Sequence, residues 1–217
     1  MVVVARAACA IQPDAAYYWG VGDPAAVQAE EILFFGGEAV LDRGDLTFSA
    51  VNLPRHFPDD ARLTVVLRFS PPVLENMLRG EFSTERFTAA VLNAAQRWSD
   101  RLGRPVDLQL DGDCPMDLID PYLAWVGEVQ RRAGDERKVS LTAVASWLSP
   151  AVLKRLGESE LPVYVMLYTM APASRLRDWR GELPRDAWEL ALKRARNAIR
   201  EGHLAADRLT LVLPCYT

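Results

Sequence analysis

Three runs of the chain, RLTVVLRFS (62–70), VDLQLDGDC (106–114) and VSLTAVASWL (139–148), alternate an apolar set of residues with a mixed one, and a segment of helical period follows each. Strand side chains point to opposite faces in turn, so each run has one apolar face and one mixed face. Short β-rich runs separated by helical segments are the pattern of βα units in a parallel sheet. An open doubly wound sheet is covered by helices on both sides, and its strands read as continuous apolar runs. A (β/α)8 barrel is covered on the outside only. In 62–70 the apolar set is Leu63, Val65, Leu67 and Phe69, in 139–147 it is Val139, Leu141, Ala143 and Ala145, and in 163–168 it is Val163, Val165 and Leu167. One helix-facing side and one mixed lumen side select the α/β class and, within it, a TIM-like (β/α)8 barrel.

The helical segments have readable ends. Ser83 opens STERFTAAVLNAAQRWSDRLG and Gly103 closes it. Leu118, Tyr122, Trp125, Val126 and Val129 repeat at helical spacing before Gly134, Ser149 and Pro150 are the N-cap and first residue of SPAVLKRLG, and RDAWELALKRARNAIREG is the last helix. PVYVMLY (162–168), LTLVLPCYT (209–217), AYYWGV (16–21) and ILFFGGEAV (32–40) add strands to make seven. No repeat, low-complexity tract or linker divides the 217 residues, so one barrel domain is expected over 1–217, with 1–15 outside its ordered body or the remnant of an export signal. Barrels of this kind take eight strands and about 250 residues. Seven strands, the last without a following helix, predict a barrel incomplete at its C-terminal end.

Composition narrows the function classes. A formal net charge of -4, from 25 basic and 29 acidic residues with no basic tract, leaves no footprint for nucleic acid or an anionic membrane. Cys9, Cys114 and Cys215 are widely spaced and only His56 and His203 accompany them, so neither a disulfide framework nor a metal knuckle is expected, and no cofactor is implied. MVVVARAACA is interrupted by Arg6 and too short to span a bilayer; localisation, cytoplasmic or exported, stays open.

In such a barrel the active site lies at the carboxyl ends of the strands. The last inward residues are Glu38, Arg68, Asp111 with Asp113, Ser146, Tyr168 and Tyr216. Asp111 and Asp113 stand two apart around Gly112. Carboxylates that close split their proton affinities, leaving one ionised and the other able to act as an acid, which is what glycoside hydrolysis asks of its pair. The competing reading pairs Asp111 with Arg68 and uses Asp113 to cap the turn before Pro115. Glu38 is a partner carboxylate across the mouth or a loop acid, and Arg68 binds a sugar hydroxyl or a substrate carboxylate unless it serves Asp111. Trp19, Trp147, Tyr168 and Tyr216 suit a platform for sugar rings, with Trp147 equally suited to the core. An Asp-x-Asp after a strand also holds metal in nucleotide-sugar transferases and haloacid-dehalogenase-type phosphatases, but Cys114-Pro115 follows it here and no phosphate-cradling glycine loop is present.

AYYWGV, VVLRFS, LQLDGDCP, LTAVASWL and LVLPCYT resemble the successive strand blocks of a poorly characterised bacterial domain-of-unknown-function family regarded as glycosidase-like TIM barrels. The resemblance covers most of the chain and implies that fold, with a carbohydrate ligand. LQLDGDCP and VMLYTM are also similar to chitinase-type barrels, in which an Asp-x-Asp-x-Glu series ends the fourth strand and a Met-x-Tyr block the sixth. Pro115 stands at the place of the acid Glu; shifted by two, the series places Asp113 as proton donor, Asp111 as its orienting partner and Gln109 at its first position. The two registers imply a glycoside hydrolase-like enzyme or a non-catalytic saccharide-binding barrel.

Overall fold

The computed structural model describes residues 15–18, 29–42, 45–49, 51, 56–144, 147–166, 185–201 and 205–212. Strands β1 (Ala15–Tyr18) and β2 (Glu31–Asp42) run parallel, and β3 (Asp45–Phe48) turns back antiparallel on the end of β2. β4 (Arg62–Phe69), β5 (Asp107–Gly112), β6 (Val139–Val144), β7 (Val163–Met166) and β8 (Leu209–Val212) continue the parallel sheet. The spatial order β1-β2-β4-β5-β6-β7-β8 follows the chain without reversing. A doubly wound sheet reverses at a switch point, whereas stepwise addition at one edge curls a parallel sheet toward a barrel. The result is a half-barrel of seven parallel strands.

Helices α1 (Pro71–Leu78), α2 (Thr84–Leu102), α3 (Ile119–Ala133), α4 (Pro150–Glu158) and α5 (Arg185–Arg200) follow their strands. The apolar strand faces pack beneath them: Leu63, Val65, Leu67, Leu108, Leu110, Leu141 and Val163 share one buried cluster with Val91 of α2, Tyr122 and Val126 of α3 and Leu153 of α4. A second, smaller cluster of Tyr17, Leu33, Val66, Tyr164, Met166 and Val212 fills the other side of the sheet. These residues come from strands up to six places apart in the order, and they meet because the sheet is curled. Tyr17 of β1 reaches Gln109 of β5 with its hydroxyl, 2.5 Å from Oε1, and sets its ring edge-on to Tyr164 of β7 at 6.5 Å.

The expected helix ends occur where the chain chemistry puts them. Ser83 Oγ accepts from the Arg86 amide, and Gly103 closes α2 at φ 67°, a left-handed angle that glycine adopts without a Cβ penalty. Ser149 occupies the N-cap of α4 with extended backbone, though its hydroxyl makes no capping bond. Two elements are additional to the expected set. α1 begins on Pro71-Pro72 and buries Leu74 and Met77, and β3 forms a hairpin with β2. The expected strand 139–148 stops at Val144, and Trp147 lies past its end.

Candidate functional site

The mouth at the carboxyl ends of the strands is set by a bulge in β2. Phe35 pairs with Val66, but Gly37 pairs with Leu67 and Glu38 with Arg68, so Gly36 is the extra residue. A one-residue insertion moves every following side chain to the other face. It brings Glu38 into line with Arg68, on the face that carries Leu33 and Phe35. Glycine is required here because a Cβ on Gly36 would lie 2.1 Å from Val65 Cγ2, and one on Gly37, at φ 138°, 2.7 Å from the Ser49 carbonyl oxygen. Trp98 Nε1 donates to the Gly36 carbonyl at 3.2 Å, and the Glu38 amide and carbonyl bond to Ser49 Oγ and Ser49 N at 2.9 Å each.

Register then carries the row across the sheet. Glu38 of β2 pairs with Arg68 of β4, and Arg68 with Asp111 of β5; Thr142 of β6 donates from Oγ1 to Asp111 Oδ1 at 2.6 Å. Sequence reasoning named the first three; Thr142 it placed on the mixed face without a role. Asp111 is half-buried, Asp113 exposed beyond it, and Arg68 exposed between the acids. Burial pushes the Asp111 carboxyl above the usual carboxylate range; the Thr142 bond and the Arg68 charge pull against this, and the negative charges of Asp113 and Glu38 add to it. Among the described residues no ion pair joins Arg68 to Asp111, so Arg68 acts on Asp111 through space and keeps its donors.

Gly112 lets the strand end sit under the helices: a Cβ there would lie 2.9 Å from Leu74 Cδ2 and 3.3 Å from the Tyr122 hydroxyl. Directly after Asp113, Cys114 turns into the core, its thiol pushed up to about 12 by burial and by the nearby Asp117 and Glu75 charges. A thiol so held is no nucleophile at neutral pH. Trp147 is 1 % exposed, its indole N–H donates to the Cys114 carbonyl at 3.3 Å, and its ring meets Tyr122 edge-on at 5.8 Å. That is a core position, so Trp147 presents no face to a ligand. Trp19, Ser146, Tyr168 and Tyr216 lie outside the described residues. His56 is exposed in its loop.

Below the mouth the lumen is built of satisfied polar groups. Gln109, fully buried, accepts from Tyr17 and donates to Ser140 Oγ at 3.4 Å. Glu31, 5 % exposed, accepts from Arg62 Nη2 and the Tyr164 hydroxyl at 2.9 Å each and from Thr64 Oγ1. Asp107 receives the Lys138 amide at 2.9 Å. Each buried acceptor has donors, as a buried charge or amide demands. Among the described residues no three His, Cys, Asp or Glu side chains converge as metal ligands, and no helix is long and apolar enough to cross a membrane.

The fold has solved counterparts. The spore cortex-lytic enzyme SleL of Bacillus cereus superposes with a TM-score of 0.61 at 15% identity, over 92% of this chain and 50% of its own. The chitinase domain of the spore coat protein CotE of Clostridium difficile superposes with a TM-score of 0.59 at 14% identity, over 99% of this chain and 68% of its own. The chain thus spans half the length of SleL and shares its fold with both. No family model matches it, and no curated protein does.

Proposed function

We propose that this barrel is a glycoside hydrolase-like protein acting on a poly- or oligosaccharide, with Asp113 as proton donor and Asp111 as assisting carboxylate. The observation that carries the reading is the row Glu38, Arg68, Asp111 and Thr142 across four adjacent strand ends, with Asp111 pushed up and Asp113 beyond it. Asp113 gives its proton to the glycosidic oxygen as the bond to the anomeric carbon breaks. Asp111, when ionised, faces the positive charge that develops on the sugar ring, and a water molecule adds to the anomeric carbon that the leaving oxygen vacates. Arg68 and Glu38 hold sugar hydroxyls, and Tyr168, Tyr216 and Trp19 are the residues proposed from the sequence to stack on sugar rings. The resemblance to glycosidase-like domain-of-unknown-function barrels and the fold shared with a cortex-lytic enzyme and a chitinase domain support the carbohydrate assignment.

A non-catalytic saccharide-binding barrel is the second reading, favoured by Pro115 at the place where the unshifted chitinase-type series has its acid. Binding and hydrolysis of a polysaccharide array by the full chain and by Asp113→Asn separate the two. Retained binding with turnover reduced by about 100-fold or more is the enzyme's result. Binding without turnover in both proteins establishes the second reading, and no binding by either overturns both.

A further inference from the structure

On the outer side of the sheet, behind the β2 bulge, a pocket of about 290 Å³ opens between the β3 hairpin and α2. Gly36, Phe48, Val51 and Trp98 line it, and Arg97 and Arg101 stand over it. The two arginines are exposed and one helical turn apart. Like charges at that spacing repel. Several arginines of the helical layer have acidic partners: Arg86 meets Asp45, Arg131 and Arg132 meet Glu128, and Arg155 meets Asp120. Arg97 and Arg101 have none among the described residues; the acid beside them, Asp100, accepts instead from Gln96.

Arg101 is further fixed by stacking, its guanidinium carbon 5.0 Å from the Trp98 ring centre, and Trp98 is itself tied to the Gly36 carbonyl. The result is a cationic pocket with an apolar floor and a rigid wall, in a chain whose net charge is -4. Guanidinium forks match carboxylate and phosphate oxygens two at a time, and the apolar floor suits the body that bears them. The volume lies at the lower end for a small-molecule site and is of monosaccharide size.

We infer that this pocket is a second ligand site, separate from the strand-end mouth, which takes a monosaccharide-sized organic anion through Arg97 and Arg101. It lies on the opposite face of the sheet from Asp111 and does not depend on the proposed hydrolase activity. Titration calorimetry of the full chain with glucuronate, inorganic phosphate and neutral glucose tests it. Glucuronate or phosphate binds and glucose does not; binding weakens with added salt, falls about tenfold or more in Arg97→Ala/Arg101→Ala, and is intermediate in the double lysine variant, which keeps the charge and loses the fork. Binding of glucuronate alone assigns a carboxylate, and of phosphate alone a phosphate group. Asp113→Asn binds these anions as the parent does, whatever its effect on polysaccharide. Because both arginines are exposed, the variants retain the parent urea midpoint, which is measured alongside. Absence of binding by both anions, equal binding of glucose, or anion binding unchanged in the double alanine variant overturns the assignment.

Discussion

Gly36→Ala probes the bulge that turns Glu38 into the mouth. The added methyl would lie 2.1 Å from Val65 Cγ2, 2.9 Å from Trp98 Nε1 and 3.3 Å from Leu67 Cδ2. Val65 and Leu67 are fully buried, and Val65 is β-branched with little rotamer freedom, so the neighbours cannot swing aside. Overpacking of this kind costs about 3 kcal/mol, the upper end of the usual range. Displacing Trp98 also breaks its bond to the Gly36 carbonyl, worth about 1 kcal/mol. The sum, about 4 kcal/mol, is a large part of the ~5–15 kcal/mol that holds a typical domain. Urea unfolding, with a slope of about 3 kcal/mol/M for a chain this long, should show the midpoint falling by more than about 1 M with the slope unchanged. Gly80→Ala is the control: its Cβ meets nothing within 4 Å, and only the φ of 84° opposes it, a cost of about 1–2 kcal/mol. Val65→Ala in the Gly36→Ala background removes the clashing methyl and should cost far less than it does alone, a coupling that a double-mutant cycle reads directly. Gly36→Ala within about 1 kcal/mol of the parent, or less damaging than Gly80→Ala, would refute the bulge argument.

Asp111 has its carboxyl raised in the folded chain, so its stabilising contribution is complete below the unfolded carboxylate range near 3.9 and is lost as pH rises through the folded value. Asp111→Asn, which keeps an acceptor for Thr142, should therefore raise the unfolding midpoint at pH 7, with the difference closing toward pH 4; a variant less stable at pH 7 would contradict it. Tyr17→Phe strands the buried Gln109 oxygen and should cost about 1–3 kcal/mol in urea unfolding, against which a loss below 0.5 kcal/mol would count.

The strand faces were legible because alternation is a local property. Leu63, Val65 and Leu67 face the helices, and Asp107, Gln109 and Asp111 face the lumen, as two-residue periodicity requires. Arg68 and Asp111 were legible as strand-end residues for the same reason, whereas Glu38 shares their face only because the extra residue Gly36 resets the alternation of β2. Helix α1 was missed as a short segment of eight residues, although Pro-Pro after Ser70 is a start signal in its own right. Strand β3 was missed because its four residues are a hairpin arm with partly exposed sides. What alternation cannot disclose is which distant side chain completes each polar group. Thr142 lies 31 residues from Asp111, and only strand register places them together. Trp147 was ambiguous between core and platform because a ring at a strand end can turn either way; here Cys114 and Tyr122 hold it inward.

The lumen contacts also order the assembly of the molecule in time. Tyr17 and Gln109 are separated by 92 residues, and Glu31 and Tyr164 by 133, whereas the parallel sheet itself joins strands that are neighbours in chain order. Closing a long loop costs more entropy than closing a short one, and distant pairings slow folding. The helix-covered layer can therefore collapse unit by unit, while the lumen waits for the curl to bring β1 to β5. Docking of β1, four residues long, whose Tyr17 reaches across the lumen to Gln109 and Tyr164, is on this ordering a closing step. Loss of the Tyr17 hydroxyl then falls on the unfolding limb of the kinetics and leaves the folding limb in place.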